Sequence, residues 1–134
     1  MTQRPAPDIA GVAIGIGCDR QAKVAELEGL VRVCLAEAAV ELSQVAGVAS
    51  IDLKVDDPAL QGLAQALNLP LRCFPAAELE ALTPRLANPS NAVFRAIGCH
   101  GVAEAAALAL AGPQGVLLLP KRRSPHATCA LARP

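Results

Sequence analysis

The stretch Gly11-Val12-Ala13-Ile14-Gly15-Ile16-Gly17-Cys18-Asp19-Arg20 decides how the rest of the chain reads. Residues 9–16 carry no polar side chain, the pattern of a strand buried on both faces in a parallel sheet. The run breaks into a glycine-rich turn. Over residues 23–39, Val24, Leu27, Val31, Cys34, Leu35 and Ala38 then fall on one face at helical spacing. A buried strand, a glycine turn and a helix announce an α/β protein.

The same alternation continues outward. Residues 45–53 predict a second strand. Asp57 and Pro58 open a helix as cap and first residue, and Leu60, Leu63, Ala64 and Leu67 form its apolar stripe. Asn68 suits a left-handed helix end, with Pro70 just beyond. Residues 69–74 predict a short strand, 75–82 a short helix, and 83–90 a loop holding Pro84 and Pro89. Ser90 reads as the cap of a helix over 91–97, broken by Gly98-Cys99-His100-Gly101. An alanine-rich helix over 102–111 implies close packing against a neighbour. Residues 116–119 and 128–132 predict two final strands, a hairpin around the basic run Lys121-Arg122-Arg123, read as a solvated loop. The expected architecture is a three-layer α/β/α domain over residues 9–134, with a mostly parallel, mixed sheet, behind a loose lead-in at 1–8.

Composition narrows the partners. The chain has 134 residues, enough for a sizeable core, and 53% are hydrophobic, which argues against disorder. Two Phe are the sole aromatics, so base stacking has almost nothing to work with. Formal net charge is +0, without the basic field of a duplex binder. Nucleic acid is therefore not an expected partner. No stretch approaches the ~18 apolar residues of a membrane span, and no apolar signal core follows Met1. Five Cys, with no Cys-x-x-Cys, point to free thiols in a reducing compartment, and a cytoplasmic location is the expectation.

Two later predicted strands end in a cation, at Lys54 and Lys121, as the first ends near Arg20. If these strands are parallel neighbours, their carboxyl ends share an edge holding three positive charges, exposed N–H groups and a thiol. Such an edge binds anions. Cys18, beside Arg20 and a helix start, is a candidate thiolate nucleophile; its plainer reading is a small residue in a crowded turn. Ser90 and Glu104 each have a structural explanation, as a helix cap and as a carboxylate in a helix's first turn, yet either could face a ligand. Cys99 and His100 lack metal-ligand spacing, so neither a metal site nor a cofactor is expected; His126 reads as exposed. Gly15-x-Gly17-x-x-Arg20 departs from the dinucleotide fingerprint at its third glycine. Lys54 also replaces the acidic ribose ligand, although it could read the 2′-phosphate of NADP.

Taken in order, Gly15-Ile-Gly17-Cys18-x-Arg20, Ile51-Asp-x-Lys54, Ser90 before a helix, Gly101-Val-Ala-Glu104-Ala-Ala-Ala-Leu108 and Leu117-Leu-Leu-Pro-Lys121 resemble the CobE/CbiG C-terminal domain family of cobalamin biosynthesis. The resemblance covers about residues 11–133. It implies an α/β three-layer domain acting on the corrin ring. In the family's fused members it implies opening of a cobalt-precorrin δ-lactone with loss of a two-carbon fragment. At 134 residues the chain is expected to lack the preceding domains of those fused members, and the resemblance therefore implies the stand-alone, CobE-like form. Precorrins are ringed by acetate and propionate groups, which a cleft with Gly15, Gly17, Cys18, Arg20, Lys54, Ser90, Glu104 and Lys121 would complement, with the alanine-rich helix against the macrocycle face. Lys54, Glu104 and Cys18 are the candidates for any catalytic step. Two other functions stay open at this point: an NADP-like nucleotide site, and an interaction module docking other pathway enzymes through the alanine-rich helix.

Overall fold

A computed structural model describes residues 11–134. The lead-in at 1–8, and Ile9 and Ala10 of the predicted first strand, lie outside the described residues. Five strands form one mixed sheet in the order β3-β2-β1-β5-β4: β1 (Val12–Cys18), β2 (Val45–Ile51), β3 (Leu71–Phe74), β4 (Val116–Ser124) and β5 (Ala127–Arg133). β1, β2 and β3 pair in parallel; β5 lies antiparallel to β1, and β4 antiparallel to β5. β4 therefore runs in the direction of β1, but β5 separates them. The expectation of neighbouring strands is corrected on that point, because the closing hairpin inserts its return strand between them.

Five helices cover the two faces: α1 (Val24–Ala38) and α2 (Pro58–Leu67) on one, α3 (Ala76–Glu80) and α5 (Ala103–Ala111) on the other, with α4 (Asn91–Ile97) beside α5. Their ends follow local rules. The Asp57 side chain accepts from the N–H groups of Ala59 and Leu60, and Asn68 ends α2 at φ 57°. Ser90 accepts from the N–H of Val93 and caps α4.

One core packs Ile14, Ile16 and Leu131 under Leu27, Val31, Leu60 and Leu63. On the opposite face α5 lies directly on β1. Residues 103–108 are all buried, and the backbones approach closely because Gly15 has no side chain. The alanine-rich helix is thus interior. The small residues at 103–108 answer to sheet packing, while Val102 at the head of the helix lines a cleft at the carboxyl edge of the sheet.

Three bounds change with consequences for the site. β2 stops at Ile51, and Asp52–Lys54 form a 3-10 turn. β4 continues through the basic run to Ser124, so Arg122 and Arg123 are strand residues and the hairpin turn is Ser124-Pro125-His126-Ala127. Pro120 does not end β4, because an edge strand tolerates a missing N–H and the register shifts between Leu119 and Arg122 accommodate it.

Candidate functional site: a cationic and apolar cleft

The register places the carboxyl ends together. Cys18 of β1 faces Ala127 of β5, which faces Ser124 of β4. Strands are added on the β2 side of β1 first and on the β5 side last, so the direction of winding reverses beside β1. Crevices in α/β sheets form at the carboxyl edge of such a reversal. There an open cleft of about 650 Å³ lies between the hairpin turn, the 3-10 turn after β2 and α4.

Its walls differ in character. Gly17, Cys18, Asp19 and Arg20 come from the end of β1, and Lys121, Arg123 and the 124–128 turn from the hairpin. The opposing wall is apolar: Ile51, Leu53, Val93, Ile97 and Val102. The exposed Leu53 side chain (68%) is the largest apolar surface left open on this edge.

Each polar group has a defined hold. Lys54 Nζ stands 3.9 Å from Asp57 Oδ2, so this cation is shared with a helix cap rather than lone. Lys121 falls in the β4 register shift, and its backbone N–H donates to Glu104 Oε2 at 2.9 Å. Its Nζ reaches Asn88 O at 3.4 Å. Partial burial and the neighbouring Arg123 lower the Lys121 pKa, against a smaller opposing pull from Glu104. The Asp19 carboxylate accepts from Gln21 N and bonds His126 Nδ1 at 3.0 Å. Glu26 of α1 accepts from Ser124 Oγ and from the N–H of His126. The hairpin turn is thereby tied to β1 and α1 together.

Of the residues singled out in the sequence, Gly17, Cys18, Arg20, Lys54 and Lys121 line the cleft. Gly15, Ser90 and Glu104 do not. Gly15 sits in mid-strand against α5, Ser90 is occupied as the α4 cap, and Glu104 is buried with its oxygens taken by Asn88 and Lys121. Gly15 and Gly17 are both strand residues, so no glycine turn leads into a helix; α1 begins only at Val24. Of the N–H groups that follow Cys18, Asp19 N donates to the His126 carbonyl, and Gln21 N and Ala22 N both donate to Asp19. The nucleotide reading loses the geometry it needs.

The Cys18 thiol runs opposite to expectation. Burial and then Asp57 push its pKa up to about 11, with Asp19 and Glu26 adding to the rise and Lys54 offsetting part of it. Iodoacetamide alkylation followed by peptide mass spectrometry is expected to label Cys18 slowly at pH ~8, accelerating only toward pH about 11. Rapid labelling near neutral pH would restore the nucleophile.

Sequence reasoning missed Asp19, Arg123, His126 and the apolar wall. His126 is half-buried on the cleft rather than simply exposed, and only the pairing of β4 with β5 brings it to Asp19. All five cysteines are free, and Cys34, Cys99 and Cys129 are buried. Among the described residues no cluster of His, Cys, Asp and Glu could hold a metal ion, and no helix is long and apolar enough to cross a membrane.

Comparison with known proteins agrees with this architecture. Residues 12–132 match the family described as Cobalamin synthesis G C-terminus. The chain is 46% identical over 125 residues to Protein CobE of Sinorhizobium sp, covering 93% of this chain and 81% of that protein. It is 31% identical over 121 residues to Cobalt-precorrin-5A hydrolase of Priestia megaterium, covering 90% of this chain but 32% of that protein. The crystal structure of CobE, a protein from the cobalamin biosynthetic pathway, superposes with a TM-score of 0.88 at 40% identity, over 93% of this chain and 91% of that one. Cobalamin biosynthesis protein chiG from Agrobacterium tumefaciens superposes at 0.71 with 29% identity, over 91% and 97%.

Proposed function

This chain belongs to the Cobalamin synthesis G C-terminus family, and from that premise we propose that its cleft binds a precorrin or later corrin-ring intermediate by its carboxylates and one macrocycle face. The supporting observation is the division of the cleft: Arg20, Lys121 and Arg123 come from β1 and the hairpin, while Ile51, Leu53, Val93 and Ile97 form the apolar wall, with Lys54 beside Leu53 on the 3-10 turn adding a fourth cation. A flat macrocycle fringed with acetate and propionate groups is apolar in its face and anionic at its rim, and it needs both walls at once.

Binding, rather than turnover, is what the side chains support. Lactone opening needs a nucleophile or a proton carrier at the ligand. The Cys18 thiol is held protonated, Glu104 is sealed under the sheet edge, and Lys54 is shared with Asp57. A hydrolase activity is carried in name by a relative of which this chain spans about a third. From that relative the proposal takes the ligand class alone.

Gel filtration with hydrogenobyrinic acid is the test. Wild-type protein is expected to carry pigment through the column. Lys54→Ala and Lys121→Ala are each expected to weaken binding roughly tenfold, the loss of one charge-assisted contact. Arg32→Ala, on an exposed α1 ion pair with Glu28, is expected to bind normally. Pigment that elutes free of wild-type protein overturns the proposal.

A further inference from the structure

We propose that His126 is a proton-dependent carboxylate receptor of the cleft: its imidazolium donates from Nε2 to a ligand carboxylate, and its neutral ring does not. This rests on the reading of the cleft as a polycarboxylate site. The argument begins with how firmly the residue is held. Its backbone N–H donates to Glu26 Oε2 at 2.8 Å, and its carbonyl accepts from Asp19 N at 3.0 Å. Its ring Nδ1 lies 3.0 Å from Asp19 Oδ2, while Asp19 is itself held by Gln21 N at 2.7 Å. Three anchors for a residue at the tip of a hairpin exceed what the turn requires. Among the described residues Nε2 has no partner, and the side chain lines the cleft.

The charge state of the ring follows from this pairing. A carboxylate at Nδ1 only accepts, so Nδ1 keeps its hydrogen in both protonation states. Asp19 stays ionised: its pKa is lowered, first by the His126 hydrogen bond, against some desolvation. The proton that distinguishes the charged ring from the neutral one is therefore the one on Nε2. When the ring is charged, Nε2–H is a donor; when it is neutral, Nε2 is a lone pair that meets a carboxylate oxygen unfavourably. The charged groups around it are Asp19 and Arg20 from the turn after β1, Glu26 from α1, and Lys121 and Arg123 from β4, with Lys54 across the cleft and the Cys18 thiol protonated at neutral pH. Imidazole is the side chain that ordinarily changes charge between pH ~5.5 and ~8.

The sign follows by linkage. A ligand that prefers the protonated ring takes up a proton on binding, so affinity falls as pH rises, and bound ligand raises the pH at which the ring titrates. Hydrogenobyrinic acid binding measured from pH ~5.5 to ~8 is expected to weaken about tenfold in the wild-type protein. His126→Gln, which keeps a polar side chain at the turn, is expected to flatten that profile at the weaker limit. Asp19→Asn keeps the turn and removes the charge beside Nδ1; it is expected to move the midpoint of the profile to lower pH. The sequence has two histidines, so ring-proton NMR can follow His126 by comparison with His126→Gln, and its titration is expected to move up in pH when pigment is added. A pH dependence that survives in His126→Gln, or a wild-type affinity that does not vary with pH, overturns this assignment while leaving the cleft reading intact. Absence of pigment binding at every pH overturns both.

Discussion

Replacing Gly15 by alanine is expected to cost about 3 kcal/mol of folding stability and to lower the thermal midpoint by roughly 10 °C. A Cβ at this position lies 1.9 Å from the carbonyl oxygen of Ala103 and 2.7 Å from the backbone nitrogen of Ala107. Both atoms belong to the backbone of α5, so no side-chain rotation relieves the clash. α5 must lift from β1, and with it the buried contacts of Ala105, Ala106 and Ala107 loosen. The cleft suffers as well, because the start of α5 carries Val102 on the apolar wall and Glu104 beneath Lys121.

Two other glycines calibrate the result. At Gly17 the nearest atom is the Thr128 hydroxyl oxygen at 2.7 Å, a side chain that can turn, so Gly17→Ala is expected to lose less stability. Gly29 has nothing within 4 Å on the exposed side of α1, and Gly29→Ala is expected to gain up to about 1 kcal/mol from helix propensity. Melting curves followed by circular dichroism check all three. A Gly15→Ala protein that melts with the wild type would show that α5 does not sit against β1.

The features legible in the sequence were those fixed by neighbours along the chain. Asp57, Pro58, Asn68 and Ser90 announce helix ends because their side chains or dihedrals act within a few residues. The buried strands of an α/β sheet were equally visible, since a strand covered on both faces shows no polar alternation. The family resemblance also stood, and residues 12–132 match it.

What failed to show was set by pairing at long range. Pro120 looks like a strand end, and only the edge position of β4 with its register shifts lets the strand run on to Ser124. That extension turns Arg123 toward the cleft and carries His126 to Asp19, 107 residues earlier. The thiol of Cys18 was misjudged for a related reason. Local sequence offered Arg20 and a nearby helix, whereas the groups that set its ionisation are burial and Asp57, brought in by the β1–β2 pairing. The apolar wall was looked for on the alanine-rich helix. The contact of α5 with Gly15 hides residues 103–108, so the predicted helix contributes Val102 at its head and α4 supplies Val93 and Ile97.

Glu104 shows how a residue can serve a site without touching what binds there, and its replacement carries the second large expected effect. It is 2% exposed, and its carboxylate receives the N–H of Asn88, the side-chain amide of Asn88 and the N–H of Lys121, each at 2.9 Å. Those bonds join α5 to the loop before α4 and to the bulge in β4. Glu104→Ala leaves two backbone donors without their acceptor and is expected to cost about 3 kcal/mol. Glu104→Gln keeps one acceptor oxygen but turns an NH₂ toward donors, and is expected to lose about half as much. Both release the backbone of Lys121, so pigment affinity is expected to fall in Glu104→Gln even where the protein is fully folded. The pH dependence gives an independent check. Burial raises the Glu104 pKa, but the hydrogen bonds from Lys121 and Asn88 outweigh it, and the net value is lowered. A lowered folded pKa stabilises above the unfolded value of about 4.3, and the contribution is lost as pH falls through the folded value. The stability gap between wild type and Glu104→Gln, measured by urea unfolding, is therefore expected to be constant near neutrality and to narrow below pH ~4. A gap that stays constant into acid would mean that the carboxylate's charge contributes nothing to the hold on Lys121.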